Sequence, residues 1–184
     1  MKEIIIYGRG GQGAVVASRL LATAAFKEGK YVQSFPFFGV ERRGAPVTAY
    51  TRISDTTIRK RIPISDPDYV IILDPTLIEN IDVTKGLKKD GSIIINSRSP
   101  KDSFKFGNKF NTCVFDAAKI ATQYKLGSGS APIVNTAILG TFAKFTKEIN
   151  ISSLLEAIKE NIASKSDENM LAAKEAYENT KTQC

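Results

Sequence analysis

The sequence predicts an α/β protein, a three-layer α/β/α arrangement around a mostly parallel, mixed sheet containing one antiparallel hairpin. Three observations predict it. Short β-branched or apolar runs at residues 4–6, 69–73, 92–96 and 111–115 are separated by stretches too long for hairpins, as in chains that build parallel sheets. A glycine-rich turn, Gly8-Arg9-Gly10-Gly11-Gln12-Gly13, joins the first run to a helical pattern in which Val16, Leu20 and Ala24 recur every four residues. Alternation over residues 47–53, followed across Ser54-Asp55-Thr56-Thr57 by a second short run at 58–62, supplies the hairpin that makes the sheet mixed.

Taken in order, the first helix should run from residue 11 or 12 to Lys27 and stop at Gly29, with lysine in its last turn. A second strand covers 31–35. The segment that follows, from Phe35 to Pro46, holds three phenylalanines, two prolines and two glycines, and no regular element suits it. Residues 69–73 are apolar throughout and read as a central strand, after which Asp74 can cap a short helix through Glu79. Residues 92–96 make another buried strand, 97–110 are irregular, and 111–115 form a strand before Asp116 caps a helix to about residue 126. Ser130-Ala131-Pro132 starts a buried helix to Thr146. Ile151, Leu154, Leu155, Ile158 and Ile162 then make a single apolar stripe, and Ser166 can cap a last helix that frays beyond Glu178. The chain is therefore expected to be a single domain over 1–184, with an α/β core at 1–146 and a helical segment at 147–184.

Composition narrows the chemistry. The chain has no histidine, which removes the commonest general base and metal ligand. Its two cysteines, Cys113 and Cys184, support neither a cluster, a zinc site nor a disulfide framework. No apolar run approaches a membrane span, and a strand rather than a signal peptide opens the chain, so a cytoplasmic protein is expected. Lysine and arginine number 26 against 19 acids, a net +7, and Arg42, Arg43, Arg52, Arg59, Lys60 and Arg61 crowd one stretch. No nucleic-acid-binding motif accompanies them, so a phosphorylated small ligand or an acidic partner subunit explains the charge better.

Gly8, Gly10 and Gly13 fit the G-x-G-x-x-G spacing between strand and helix. Bare backbone there lets a phosphate approach N–H groups, the helix adds partial positive charge, and Arg9 adds a full one. The competing reading, that the glycines serve only tight packing, stays open. A dinucleotide would call for a carboxylate about 20 residues on, at the end of the second strand. Ser34, Phe35, Pro36 and Phe37 stand there instead, and Glu41 is followed at once by Arg42 and Arg43. NAD is disfavoured, and a ligand with an additional phosphate, NADP or coenzyme A, suits the arginines.

Two stretches together carry a family resemblance. Gly8-Arg9-Gly10-Gly11-Gln12-Gly13 and Phe35-Pro36-Phe37-Phe38-Gly39-Val40-Glu41-Arg42-Arg43-Gly44-Ala45-Pro46 resemble the gamma subunit of 2-oxoacid:ferredoxin oxidoreductases, most of all the pyruvate form. The likeness continues through Asp68-Tyr69-Val70-Ile71-Ile72-Leu73-Asp74-Pro75-Thr76 and Gly91-Ser92-Ile93-Ile94-Ile95-Asn96. It implies a subunit of a cytoplasmic hetero-oligomer that converts pyruvate and coenzyme A to acetyl-CoA and carbon dioxide and passes electrons to ferredoxin. In that family thiamine diphosphate, with its magnesium, belongs to the alpha and beta subunits and the iron–sulfur clusters chiefly to the delta subunit. The gamma domain is associated with coenzyme A. On this resemblance Gly8, Arg9, Gly10, Gly11, Gln12 and Gly13 are expected to receive the diphosphate, and Arg42 or Arg43 the 3′-phosphate or a neighbouring subunit. No catalytic residue and no metal site is expected here. Two alternatives remain, a purely structural assembly subunit and a freestanding NADP-binding reductase.

Overall fold

A computed structural model describes residues 1–37 and 44–181. Six strands, β1 (Lys2–Arg9), β2 (Tyr31–Phe37), β3 (Pro46–Ser54), β4 (Tyr69–Ile72), β5 (Ser92–Asn96) and β6 (Asn111–Phe115), form one sheet in the order β2-β3-β1-β4-β5-β6. The α-helices are α1 (Ala14–Lys27), α2 (Ala117–Gln123), α3 (Asn135–Thr146), α4 (Ile151–Asn161) and α5 (Ser166–Asn179). β1, β4, β5 and β6 pair in parallel, while β3 runs antiparallel to both β1 and β2. The sheet is thus mixed and mostly parallel, with β3 alone reversed.

The antiparallel hairpin is not where residues 47–53 and 58–62 suggested. It is made by β2 and β3, and residues 57–61 carry no regular structure. Both edges of β3 are already occupied, from Lys2↔Ile53 to Arg9↔Pro46 on one side and from Tyr31↔Ser54 to Phe37↔Thr48 on the other. No ladder on β3 is left for a strand at 58–62.

The period-2 alternation of the strands divides the core into two faces. Ile4, Ile6, Ala49, Ile53, Ile71, Ile94 and Cys113 point to one side and meet side chains of all five α-helices, among them Leu20, Ile120, Phe142, Leu154 and Ala173. Val70, Ile72, Ile93 and Ile95 point to the other, where Val83, Leu87 and Phe106 cover them. Those covering residues come from irregular chain that also holds two short 3-10 turns, Pro75–Glu79 and Lys101–Ser103. Ile64 closes the same side over Ile5 and Tyr50. The second covering layer of the expected α/β/α arrangement is therefore turn and loop rather than α-helix.

Several boundaries moved for local reasons. α1 begins at Ala14, because Gly11 and Gly13 take positive φ (98° and 81°) and complete the turn first. α3 begins at Asn135, because Ala131–Pro132 pair with Gly127–Ser128 in a two-residue hairpin. Ser166 is the first helical residue of α5 rather than its cap; Lys165 precedes it in the left-handed region, and Asp167 and Glu168 face the helix's positive end. Past Glu178 the described chain is still tied down at Thr180, and residues 182–184, where the expected fraying also falls, lie outside the described residues. Thr180 is buried, with its hydroxyl donating to Ala176 O at 2.6 Å. Cys113 is fully buried on β6, while the expectation that Cys113 and Cys184 form no disulfide framework also involves Cys184, which lies outside the described residues.

One polar cluster pins the β2-β3-β1 half of the sheet. Arg52 is 1% exposed; its Nε donates to Glu3 Oε1 at 2.8 Å, Nη1 to Gln33 Oε1 at 2.8 Å and Nη2 to Ile62 O at 2.8 Å. One guanidinium thereby joins three strands to the segment that crosses them, beneath the ring of Phe35. Arg52→Ala should destabilise the chain by about 3–5 kcal/mol in a denaturant titration, because Glu3 would stay buried without its partner. A Glu3→Leu/Arg52→Met double variant should lose less. At the crossing of α3 and α5 a Cβ on Gly140 would lie 2.0 Å from the backbone oxygen of Ala173. Gly140→Ala must push the two helices apart, and a loss of about 1–3 kcal/mol is expected by the same measurement.

Candidate functional site

The chain leaves β1 through α1 towards β2, and leaves β4 through a 3-10 turn towards β5, so it departs in opposite directions from two adjacent parallel strands. In open α/β sheets the crevice at the carboxyl ends of such strands is where ligands bind. The glycine loop ends β1 and Asp74-Pro75-Thr76 ends β4, and Leu73 N–H donates to Tyr7 O at 2.8 Å to hold the two ends in register. The sequence therefore brings its two most distinctive turns to one place.

Arg9 bridges that crevice. Its Nε donates to Asp74 Oδ2 at 3.0 Å, Nη2 to Thr76 Oγ1 at 2.7 Å and Nη1 to Gly44 O at 3.1 Å. Gln12 works with it: Nε2 donates to Asp74 Oδ2 at 3.1 Å, and Oε1 accepts from Arg9 N–H at 2.7 Å. Thr76 donates to Asp74 Oδ1 through its amide at 3.0 Å and its hydroxyl at 2.7 Å. Partial burial alone would raise the Asp74 pKa, but the bonds from Thr76, then Gln12, and the charge of Arg9 outweigh it and hold the carboxyl below its ordinary value. Arg9 and Gln12 are thus engaged side chain to side chain with β4, and Asp74 takes up their donors rather than the loop amides.

The loop backbone divides into committed and uncommitted groups. Gly10 N–H donates to Ala45 O at 2.9 Å and Gly10 O accepts from Gly44 N–H at 3.1 Å, which prolongs the β1–β3 ladder into the loop. Gln12 N–H donates to Arg9 O at 2.9 Å. Among the described residues, the amides of Gly11 and Gly13 have no acceptor. α1 behind them has Gly13 at its N-cap, no side-chain cap bond and no acidic residue in its first turn. No acid of the helix's own first turn therefore offsets its positive end.

The glycines do different work. A Cβ on Gly8 would sit 3.1 Å from Leu73 Cδ1 and 3.2 Å from Ala14 Cβ, so Gly8 serves close packing of β1, β4 and α1. A Cβ on Gly13 would lie 2.5 Å from Asn135 Nδ2. At Gly11 nothing lies within 4 Å of that position, and open space combines with positive φ. Packing explains Gly8 and contributes at Gly13, but it does not explain Gly11.

Of the residues singled out from the sequence, Gly8, Arg9, Gly10, Gly11, Gln12 and Gly13 lie together at the crevice. Arg42 and Arg43 lie outside the described residues, as do Phe38 and Glu41. Gly44, which follows Arg43 in the chain, is bonded to Gly10 and Arg9. Phe35 and Phe37 pack on Tyr50, with ring centroids 5.1 and 6.2 Å away. The sequence reading missed Thr76 and Asn135 as neighbours of the loop, and treated Asp74 only as a helix cap. A carboxylate and a hydroxyl just after a buried strand, next to the switch point, were the available signal.

Among the described residues no group of three or more His, Cys, Asp or Glu could hold a metal ion, and no helix is long and apolar enough to cross a membrane. A family model described as pyruvate ferredoxin/flavodoxin oxidoreductase matches residues 3–179. Over 184 residues the chain is 50% identical to the pyruvate/ketoisovalerate oxidoreductases common subunit gamma of Pyrococcus furiosus, covering 98% of this chain and 97% of that one. It is 51% identical over 178 residues to pyruvate synthase subunit PorC of Methanocaldococcus jannaschii, covering 96% of each. The fold is similar to that of pyruvate oxidoreductase subunit PORC from Thermotoga maritima, with a TM-score of 0.79 at 34% identity over 96% of this chain and 95% of that one. Identity near one half along nearly the full length of both chains, joined to a common fold, leads to one conclusion: the chain belongs to the pyruvate ferredoxin/flavodoxin oxidoreductase family, as one of its gamma subunits.

Proposed function

We propose that this subunit seats the diphosphate of coenzyme A on the glycine loop and so directs the thiol arm to a reaction centre held by other chains. The observation that carries this reading is the pair of amides at Gly11 and Gly13 that find no acceptor among the described residues, at the end of α1 that lacks a side-chain cap bond and beside the switch point of the sheet. Gly8 and Gly10 shape the loop, and Arg9 and Gln12 brace it against Asp74, whose carboxylate offsets the Arg9 charge. Arg42 and Arg43 are assigned to the 3′-phosphate or to a neighbouring subunit, on their place in the sequence.

In this reading the complex oxidatively decarboxylates pyruvate to acetyl-CoA and passes the electrons to ferredoxin. Alpha, beta and delta subunits are the partners and carry the thiamine diphosphate, magnesium and iron–sulfur clusters, and the assembly is cytoplasmic. The whole chain acts as one domain. Its contribution is positional: it raises the local concentration of the thiol where the two-carbon unit is transferred. The absence of histidine from the sequence agrees with a chain that has no proton-transfer group of that kind to offer.

The test uses the assembled oxidoreductase. Gly11→Asp sets a carboxylate at the seat, where no described neighbour lies within 4 Å of the new Cβ, and Gly11→Ala, which carries the same backbone strain at φ 98° without the charge, is its control. KM for coenzyme A should rise about tenfold or more, with kcat at saturating coenzyme A unchanged, the signature of lost uniform binding. An unaltered KM overturns the assignment. Asp74 gives a second expectation, with a sign that follows from its depressed pKa. The stability it lends is complete above the ordinary value of 3.8 and is lost as the pH falls through the lowered folded value. In thermal denaturation from neutral to acid pH, Asp74→Asn should be less stable near neutrality and should lack that part of the acid loss.

A further inference from the structure

β2 is the end strand of the sheet, and its ladder partner is β3 alone. Seven large apolar side chains are conspicuously exposed among the described residues, and four of them gather around this edge. Tyr31 and Phe37 are the two ends of β2, Phe26 lies in the last turn of α1 before it, and Ile62 belongs to the segment that Arg52 fastens to Gln33 of β2. Beside the strand runs a groove of about 510 Å³, lined by Tyr31, Gln33, Phe35, Thr57, Ile58 and Arg61. An exposed edge bearing apolar side chains is a template for a further strand unless something covers it.

The charge along the groove selects what covers it. Arg52, which the sequence grouped with its basic neighbours, is buried on Glu3, and Lys30 at the start of the strand pairs with Asp55. Arg59, Lys60 and Arg61 are all exposed and have no ion-pair partner among the described residues. Arg61 lines the groove along the open strand edge, and Arg59 and Lys60 precede it in the same segment, so three successive cations stand in the chain that borders it. A second copy of this chain added edge to edge about a two-fold axis would set the two cation triplets on the same joint, which like-charge repulsion opposes. Pro36 has no N–H to give, so the usable ladder lies along residues 31–35.

We propose that the edge of β2 receives an extended acidic segment of a partner chain of the oxidoreductase, added as a seventh strand. Main-chain hydrogen bonds along 31–35 hold the segment, the groove takes its alternate side chains, and Arg59, Lys60 and Arg61 meet its carboxylates. The proposal rests on this chain being a subunit, and it does not require coenzyme A to sit on the glycine loop.

Amide hydrogen exchange at residues 32–35, followed without coenzyme A in the chain alone and in the assembled oxidoreductase, tests the docking. Exchange should be at least about tenfold slower in the assembly. An Arg59→Glu/Lys60→Glu/Arg61→Glu variant, its fold verified by thermal denaturation, should bind the remaining subunits at least about tenfold more weakly at low salt. Raising the salt should weaken the wild-type association in the same sense, with no substitution needed. Equal exchange in the two states overturns the proposal, as does an association indifferent to both charge reversal and salt. Protection that appears in the chain alone and grows with its concentration overturns it too, since the occupant would then be a second copy.

Discussion

Everything at the candidate site hangs from the C-terminal end of β1, a strand with neighbours of opposite sense. On one side β3 runs against it over eight residue pairs, and on the other β4 runs with it. The chain must leave β1 and β4 in opposite directions, so a crevice opens between their ends. Arg9, Gln12, Asp74 and Thr76 close part of this gap with directed polar contacts. Side chains extend there the bridge that the backbone begins with Leu73 N–H on Tyr7 O.

That arrangement separates two tasks a glycine loop could combine. The side chains of the loop look inward, to β4 and to Gly44, and set its shape. Its amides at Gly11 and Gly13 find no acceptor among the described residues, next to the helix's positive end. A phosphate recognised by amides needs no side chain to move, and a brace that touches no ligand can be built from ordinary ion-pair chemistry. The buried Arg52 cluster serves the neighbouring half of the sheet in a related way, with one cation satisfying acceptors on three segments. Isolated in the interior its charge would be costly; fully bonded, it fixes which strands lie together.

Much of the fold was legible in the sequence where one local signal had no competitor. The runs at 69–72, 92–96 and 111–115 are apolar or β-branched, bounded by turn residues, and they form β4, β5 and β6. Asp74 and Asp116 cap the elements expected of them, by accepting from Thr76 and Lys119 amides. Misreadings came where a non-local partner decided the matter. The run at 58–62 carries β-branched Ile58 and Ile62, but β3 had already given one edge to β1 and the other to β2, which a sequence does not display. Ala131-Pro132 resembles a helix start, yet four residues earlier stands the strand it pairs with. At the site the glycine turn was readable from spacing alone. Its brace was not, because Asp74 and Thr76 stand 65 and 67 positions from Arg9 and only the parallel pairing of β1 with β4 unites them.

The uneven covering of the sheet gives the molecule a stiff side and a soft side. Beneath the helices, strand side chains are clasped by elements whose amides are bonded turn after turn, and shifting one means shifting a whole cylinder. Over Val70, Ile72, Ile93 and Ile95 the cover is short irregular chain stitched by isolated bonds such as Lys88 N–H to Pro67 O. Such stretches open at lower free energy than regular elements. Insertions and reshaped contacts can therefore accumulate on that side over evolutionary time while the helical side, and the crevice hung from it, keep their form.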